Sequence, residues 1–231
     1  TDGSGNIDDI TISAGSTTGT VNFTPTDDSI YDATSNETAT ISINGVSGKT
    51  GVTEHGTPQA VTITITDNES APTVTLATAS SSIDENSDST ITLTATASTA
   101  TFQDVTVSLD GTGGTGTEGT DFGTVSDITI SAGSTTGTVT FDPTDDSIFE
   151  GNETAGISVS GVSGGGASES GTQAVTITIT DNESAPTVTL TTSATSIAEN
   201  AGSSITLTAT LSGATASAIT VALDTSGTAT E

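Results

Sequence analysis

Apolar residues alternate with Thr, Ser and other polar residues in seven short stretches between residues 71 and 184. Period-two alternation turns one row of a strand towards a core and the other towards water. Gly, Ser, Asp and Pro separate the stretches, so the pattern predicts an antiparallel β-sandwich of about seven strands. The apolar rows are Val74 and Leu76; Ile91, Leu93 and Ala95; Val105, Val107 and Leu109; Ile128 and Ile130; Val139 and Phe141; Ile157 and Val159; Val175, Ile177 and Ile179.

Long internal repeats extend this prediction to the whole chain. The segment DNESAPTVTL at 67–76 recurs at 181–190, and ITISAGSTTGTV at 10–21 recurs at 128–139. Such self-similarity indicates a tandem-repeat protein. We therefore predict one complete repeat at residues 71–184, the C-terminal half of a repeat at 1–69 and the N-terminal half of another at 185–231.

The two predicted half repeats bear on assembly. Half a sandwich exposes its core face and its strand edges, so it needs a covering partner. Either the sequence is part of a long tandem array, or separate chains complete each other's split repeats head to tail. Both alternatives predict a linear rod or fibril whose partners are adjacent repeats or further copies of the chain.

The net charge of the chain argues against two classes of binding partner. The 231 residues contain 29 acidic side chains against one Lys, no Arg and one His, which gives a formal net charge of −28. Nucleic acid and anionic membrane surfaces would repel this chain. We find no stretch long enough for a transmembrane helix, and no Cys for a disulfide framework.

The most concentrated acidic stretch is DDSIFEGNE at residues 145–153, which we call the acidic loop. One lysine cannot neutralise such clusters, and crowded carboxylates without a counter-charge are costly. A bound cation would remove this cost, and oxygen-only ligands select hard ions, Ca²⁺ before Mg²⁺. The competing interpretation is a solvated, highly charged surface.

Several motifs, in order and spacing, resemble the Calx-beta domain family over essentially the whole chain. The resemblance implies tandem immunoglobulin-like sandwiches that gather Ca²⁺ at one end. The matching segments are SIDEN at 82–86, SIAEN at 196–200, GTEGTDF at 116–122, ISAGS at 130–134, the acidic loop, and VTITITDNE at 175–183.

The resemblance also implies a ligand set in each repeat. In the complete repeat it comprises Glu85, Asp121, Asp145, Asp146, the carbonyl of Ile148, Glu150, Glu153, Asp181 and Glu183. The matching positions in the N-terminal half are Asp27, Asp28, Ile30, Asp32, Glu37, Asp67 and Glu69, whereas the C-terminal half has only Glu199. Calcium-binding relatives have three consecutive Asp where this chain has Asp181-Asn182-Glu183, which leaves the number of ions open.

The implied site lies beside the joint between repeats, because Ala185-Pro186 follows Glu183 directly. A proline fixes the local backbone, and an ion there would stiffen the linker. The segment from Asp181 to Pro186 partly resembles the calcium linkers of cadherins, although the other cadherin motifs are missing.

Catalysis has no support in the sequence. His55, the only histidine, lies in a polar loop, and no nucleophile of the repeat has a His base. We therefore expect a non-enzymatic component of an extracellular or cell-surface rod, stalk or fibril, with Ca²⁺ at its joints and a role in adhesion. The alternative is a calcium-sensing regulatory module.

The chain would also permit glycans, because Ser and Thr are abundant and Asn-x-Ser/Thr triplets begin at Asn22, Asn36, Asn68, Asn152 and Asn182.

Overall fold

The structure is a computed structural model that describes residues 7–32, 37–56, 59–200 and 202–228. All its regular elements are strands, and no helix long and apolar enough to cross a membrane occurs among these residues. The strands are β1 (Ile30–Tyr31), β2 (Glu37–Ser42), β3 (Ala60–Ile65), β4 (Thr73–Thr78), β5 (Ser82–Asp84), β6 (Ile91–Ala97), β7 (Ala100–Thr101), β8 (Val105–Gly114), β9 (Ile128–Ile130), β10 (Thr136–Phe141), β11 (Ile148–Phe149), β12 (Glu153–Ser163), β13 (Ser168–Glu169), β14 (Ala174–Thr180), β15 (Val188–Thr192), β16 (Leu207–Leu211) and β17 (Ala214–Thr215).

Two sheets form the complete repeat, with strand orders β10-β6-β4-β13 and β5-β14-β12-β8-β9. All seven strands predicted from the alternation are present, and the all-β sandwich class is confirmed. The pairings are antiparallel except at one edge of each sheet, where β13 joins β4 and β5 joins β14 in parallel. These two edge strands are only two and three residues long, so their alternation was too short to recognise.

The core lies between the two sheets and contains most of the predicted apolar residues, together with Ile83, Phe122 and Val125. Four predicted residues are only partly buried and pack against it: Leu109, Val139, Val159 and Val175. Val74, Leu93, Val107, Ile157 and Ile177 are each 0% exposed. Phe122 and Phe141, two of the few aromatic residues, pack with ring centroids 5.2 Å apart. Burial of these rows supplies the main stabilisation of the sandwich.

The strand pairs of the two half repeats keep the register of the complete repeat. Glu37 lies opposite Ile65 in β2–β3, as Glu153 lies opposite Ile179 in β12–β14. Likewise, Val188 pairs with Leu211 as Val74 pairs with Ala97. Each half thus reproduces local pairing without the opposing half of the sandwich.

Parallel two-residue pairs connect successive repeats. β1 pairs with β7, and β11 pairs with β17, so an acidic segment of one repeat contacts the following repeat. The partners are Ile30 with Ala100, Tyr31 with Thr101, Ile148 with Ala214, and Phe149 with Thr215.

Candidate metal centre

The acidic loop joins β10 to β12 and carries β11 in its middle. The Asp146 Oδ1 atom accepts a hydrogen bond from the Ile148 N–H at 2.7 Å, which turns the chain into β11. Asp and Asn side chains commonly fix turns by bonding the backbone two residues further on. The local sequence therefore contributes to the shape of the loop.

Asp181, at the end of β14, holds the loop from the other side. One of its oxygens accepts bonds from the N–H groups of Glu150 at 2.9 Å and Gly151 at 2.5 Å, and the other from Glu183 at 2.8 Å. Burial opposes ionisation, yet these backbone donors outweigh it and lower the pKa of Asp181. This carboxylate is therefore charged at neutral pH and fixes the base of the site.

Glu85 enters the site from the segment after β5 and is only 7% exposed. Its Oε1 atom accepts a hydrogen bond from the Asp146 N–H at 3.0 Å, which ties the segment after β5 to the acidic loop. Burial raises the pKa of Glu85, and the charges of Asp146, Asp181 and Asp145 raise it further. A buried carboxylate surrounded by like charges is a position where a cation would be favoured.

Six of the predicted ligands form two compact groups. Ligand oxygens of Glu85, Asp146 and Glu183 all lie within 4.8 Å of one another, and so do those of Asp121, Glu150 and Glu153. A small pocket between them is lined by Glu85, Asp121, Thr144, Glu150, Gly151, Glu153 and Ile179. The sandwich thus brings together carboxylates from four distant parts of the chain.

The group of Asp121, Glu150 and Glu153 contains the carboxyl group with the most strongly raised pKa. Burial raises the pKa of Glu153 to about 7, with further contributions from the charge of Asp121, a hydrogen bond between the two side chains, and the charges of Glu150 and Glu85. Asp121 is itself held by the Thr117 N–H, which donates to Oδ2 at 2.6 Å. A bound cation would therefore displace a proton from Glu153.

The donor set fits a hard divalent ion. Every side-chain ligand is a carboxylate, as Ca²⁺ prefers, and no Cys occurs in the chain. Among the described residues, the buried Glu183 Oε2 atom has no hydrogen-bond partner. Burial and the neighbouring Asp181 also raise the pKa of Glu183. An ion would satisfy this oxygen and remove the repulsion.

Two asparagines near the site were not expected to take part. The Asn182 side-chain amide donates to Asp145 Oδ1 at 3.2 Å, and Asn152 Oδ1 accepts from the Asp181 N–H at 3.3 Å. Asn182 thereby orients Asp145, which lies outside the two compact groups. The departure of Asp181-Asn182-Glu183 from three consecutive Asp was the only sequence signal for this role.

The N-terminal half repeats the same loop geometry. Asp28 Oδ1 accepts from the Ile30 N–H at 2.8 Å, and Asp67 accepts from the N–H groups of Asp32 at 2.8 Å and Glu69 at 3.0 Å. The backbone bonds from Glu69 and Asp32 lower the pKa of Asp67, whereas the bond to Asp67 raises that of Glu69. An open pocket gathers Asp27, Asp28, Asp32, Glu37, Asp67 and Glu69.

Glu199 is the one predicted ligand that the structure leaves apart. It lies exposed in the C-terminal half, which lacks the other ligand positions. The N-terminal half conversely has no residue matching Glu85, and Asp2, which matches Asp121 in the sequence, lies outside the described residues. Each half therefore holds part of a site.

Together, the fold and the acidic end define a tandem β-sandwich protein with candidate cation sites beside its joints. The Calx-beta domain family matches residues 4–69 and 67–183, and the chain belongs to this family. No curated protein matches the chain.

Two solved structures are similar to parts of the chain. The apo-form Calx CBD1 domain is 19% identical, with a TM-score of 0.41, over 48% of this chain and 99% of that one. CBD12 from CALX1.2 is 22% identical, with a TM-score of 0.38, over 44% of this chain and 41% of that one.

Proposed function

We propose that this protein is a structural component of an extracellular repetitive rod, stalk or fibril, possessing no catalytic role, whose joints are stiffened by Ca²⁺. The supporting observation is the position of the carboxylate groups at the end of the repeat. Glu183 belongs to one of them, and Ala185 starts the next repeat two residues later. An ion held by Glu183, Glu85 and Asp146 would fix the start of the linker to the body of the repeat.

The energetic argument follows from charge. Without an ion, several carboxylates whose oxygens lie within 4.8 Å of one another repel each other. The free energy then favours a loop and linker that move apart. With an ion bound, the same oxygens are all attracted to that ion. The net charge of −28 keeps such chains soluble and mutually repelling, which suits a cell-surface or extracellular scaffold, including an adhesive one.

Further repeats are the proposed partners, from the same polypeptide or from other copies. Leu190 and Val188 are 53% and 42% exposed, whereas their counterparts Leu76 and Val74 are 7% and 0% exposed. The apolar face of a half repeat therefore requires the complementary half as its cover. Glycans on outward Ser, Thr and Asn would decorate this scaffold.

A calcium-sensing regulatory module is the second candidate. The direct contact between the acidic loop and the following repeat favours it, because such a contact could transmit occupancy. Affinity separates the two functions: extracellular modules bind Ca²⁺ with Kd on the order of 10⁻⁴–10⁻³ M, whereas sensors bind at roughly 10⁻⁷–10⁻⁵ M.

The test is electron microscopy of the native material with Ca²⁺ and after chelation, combined with elemental analysis for bound calcium. We expect straight rods with Ca²⁺ that become limp or dissociate after chelation. The double variant Glu85→Gln with Asp181→Asn should resemble the chelated state. The control is Asp104→Asn, at the end of β8 away from the carboxylate groups, and it should leave the rods straight. Unchanged rods without bound calcium would show that the acidic clusters are solvated surface.

A further inference from the structure

The exposed apolar rows lie almost entirely in the two half repeats. Among the residues that the structure describes, Phe102 is the one exposed large apolar side chain of the complete repeat, and the others all lie in the halves. Leu207, for example, is 55% exposed, whereas its counterpart Leu93 is 0% exposed. Each half therefore leaves open the side chains that the complete repeat buries.

The complete repeat shows how its own two halves combine. In one sheet β10 pairs with β6 and β13 with β4; in the other β14 pairs with β5, and β8 pairs with both β12 and β9. In each of these pairs, one strand comes from residues 73–114 and the other from residues 128–180. The halves are therefore joined by backbone pairing within both sheets, and not only by packing of one face on another.

The half repeats carry the residues needed to rebuild these pairs. The internal repeats make Leu207 equivalent to Leu93 and Val21 equivalent to Val139, and Leu93 and Val139 are Cα partners in β6 and β10. By the same equivalence, the other strand pairs would place Ile219 opposite Ile12, Val221 opposite Val46, and Ile197 opposite Ile65. An apolar residue stands at every one of these positions, so the register of the core can be kept.

The two halves of one chain lie at opposite ends of its complete repeat. The N-terminal half contacts β7, and the C-terminal half contacts β11. Strand β6 runs between these ends, since Ile91 pairs with Phe141 shortly before the acidic loop and Ala97 lies just before β7. At about 3.3 Å per residue this strand alone separates the ends by about 20 Å. The halves of one chain therefore cannot cover each other.

We propose that the C-terminal half of one chain and the N-terminal half of a second copy interleave their strands into a single sandwich with the register of the complete repeat. The inference rests on the proposed function and deepens it, because it names the partner of each half and the strands that meet. Pairing at sheet edges would supply the contact. Since every copy offers one half of each kind, the association is head to tail and adds further copies.

Electrostatics predict the conditions that favour this strand exchange. Each copy has a formal net charge of −28, so two copies repel each other. Dissolved salt screens this repulsion, with a screening length of about 10 Å at 0.1 M ionic strength. We therefore expect association to strengthen as the NaCl concentration rises, in a chelator as well as in Ca²⁺.

One position distinguishes the interleaved repeat from the complete one. Gly156 lies opposite Gly113, where an added Cβ atom would come within 2.8 Å of the Gly113 carbonyl carbon. The equivalent of Gly156 is Thr40, which carries a Cβ atom and would lie opposite Gly227. The exchanged strands must separate at this point, so the sandwich shared by two copies is weaker than the complete repeat.

Disulfide cross-linking of the full chain tests the register, since the chain has no cysteine of its own. Thr20 and Thr208 are equivalent to Thr138 and Thr94, which are Cα partners in β10 and β6 on the rows that face away from the core. Oxidation of the variant Thr20→Cys with Thr208→Cys should therefore give a ladder of dimers and longer oligomers on a non-reducing denaturing gel.

Two matched cysteine pairs are the controls. Thr94→Cys with Thr138→Cys places the same bond inside the complete repeat and should give a cross-linked monomer without a ladder. Thr20→Cys with Thr210→Cys is two residues out of register, at a Cα separation of about 7–8 Å, and should cross-link about tenfold more slowly. An absent ladder, a bond within one chain, or equal ladders in and out of register would overturn the inference.

A further variant acts on the weak point of the shared sandwich. Thr40→Gly should tighten association by about threefold or more, because the exchanged strands could then approach as Gly156 and Gly113 do. Thr62→Gly, at the position paired with Thr40 in β3, is the control and should not tighten it. Sedimentation velocity measures both variants. Association that Thr40→Gly leaves unchanged or weakens would contradict the assigned register.

Strand exchange and the calcium joint can fail separately. A ladder that forms in chelator and salt, from material in which elemental analysis finds no calcium after exposure to Ca²⁺, would support strand exchange and remove the calcium joint. Calcium binding without a ladder would overturn strand exchange and leave the calcium joint in place.

Discussion

Glu153 combines two properties at the scale of a single residue. It belongs to a carboxylate group with Asp121 and Glu150, and burial with their charges raises its pKa to about 7. Because Glu keeps an ordinary pKa near 4.5 when unfolded, the folded chain binds the extra proton between these values. Raising the pH from about 4.5 through about 7 without metal should therefore destabilise the folded repeat.

Calcium affinity should follow the opposite trend. Since Ca²⁺ must displace the proton of Glu153, we expect affinity to rise by up to about tenfold per pH unit below pH 7 and to level off above it. Isothermal titration calorimetry between pH 5.5 and 8, in buffers of different ionisation enthalpy, measures both affinity and proton release. Glu153→Gln should bind with little pH dependence; an equally steep profile in this variant would assign the proton to another group.

Asp181 should be the most important carboxylate for stability without metal. Asp181→Ala removes acceptors for three backbone N–H groups, and we expect a loss of about 2–4 kcal/mol in the free energy of unfolding. Since the pKa of Asp181 is lowered in the fold, this contribution is present above its unfolded pKa and is lost as the pH falls through the folded one.

Urea denaturation in a chelator at pH 7 measures the effect of Asp181→Ala. Asp104→Asn, whose side chain can still accept from the Ala132 N–H, is the matched control and should cost well under 1 kcal/mol. A loss no larger than that of the control would mean that the three donors find water or other acceptors at little cost.

The acidic residue types were sufficient to predict candidate ligands, but not what each one does. Asp146 and Asp181 also organise backbone, and Asp145 is oriented by Asn182. These roles depend on which N–H groups the fold leaves nearby, and alternation of side chains contains no such information. Glu199 matches a ligand motif, but its expected partners, Asp27, Asp28 and Asp67, would belong to a following copy, so its role stays a prediction.

At the scale of elements, β8 and β12 approach closely at a pair of glycines. A Cβ atom added to Gly156 would lie 2.8 Å from the Gly113 carbonyl carbon, too close for the backbones to remain in place. We expect Gly156→Ala to lower stability by about 1–3 kcal/mol. Thermal denaturation of the variant and the parent chain measures this loss of stability.

Gly161, on the same strand, offers the comparison. A Cβ there meets nothing within 4 Å, so Gly161→Ala should be close to neutral or slightly stabilising. Equal losses in the two variants would indicate that glycine flexibility, and not close strand approach, matters in β12.

The elements also show where sequence patterns stop being informative. Seven strands with two or more alternating apolar residues were all predicted, because burial on one face imposes the period. The pairs β1–β7 and β11–β17 were not predicted. Their two-residue strands pair through backbone groups, and Ala100–Thr101 has no alternation that distinguishes it from a turn.

For the whole molecule, the apolar faces of the half repeats predict self-association. Ile10 and Ile12 are 56% and 57% exposed, although their counterparts Ile128 and Ile130 are 0% and 1% exposed. Sedimentation velocity at increasing concentration should show the 231-residue chain forming oligomers. Residues 71–184 alone should remain monomeric.

Charged substitution of one face should reverse this association. Val188→Asp with Leu190→Asp places two charges where a complementary half would pack, and we expect the weight-average mass to fall towards that of the monomer. Thr189→Asp with Thr191→Asp, on the polar row of the same strand, is the control for added charge. A monomeric parent chain, or equal effects of both pairs, would contradict complementary packing.

The equivalence of the two joints has a geometric consequence. The pairing of Ile30–Tyr31 with Ala100–Thr101 recurs as that of Ile148–Phe149 with Ala214–Thr215. If the same contact sets the same orientation at every joint, one screw operation relates each repeat to the next. Iterating one rotation and one translation generates a superhelix of constant pitch and hand. The layer-line spacing of such a filament would then be encoded in four pairs of backbone partners, and shifting one of them would change the pitch of the whole.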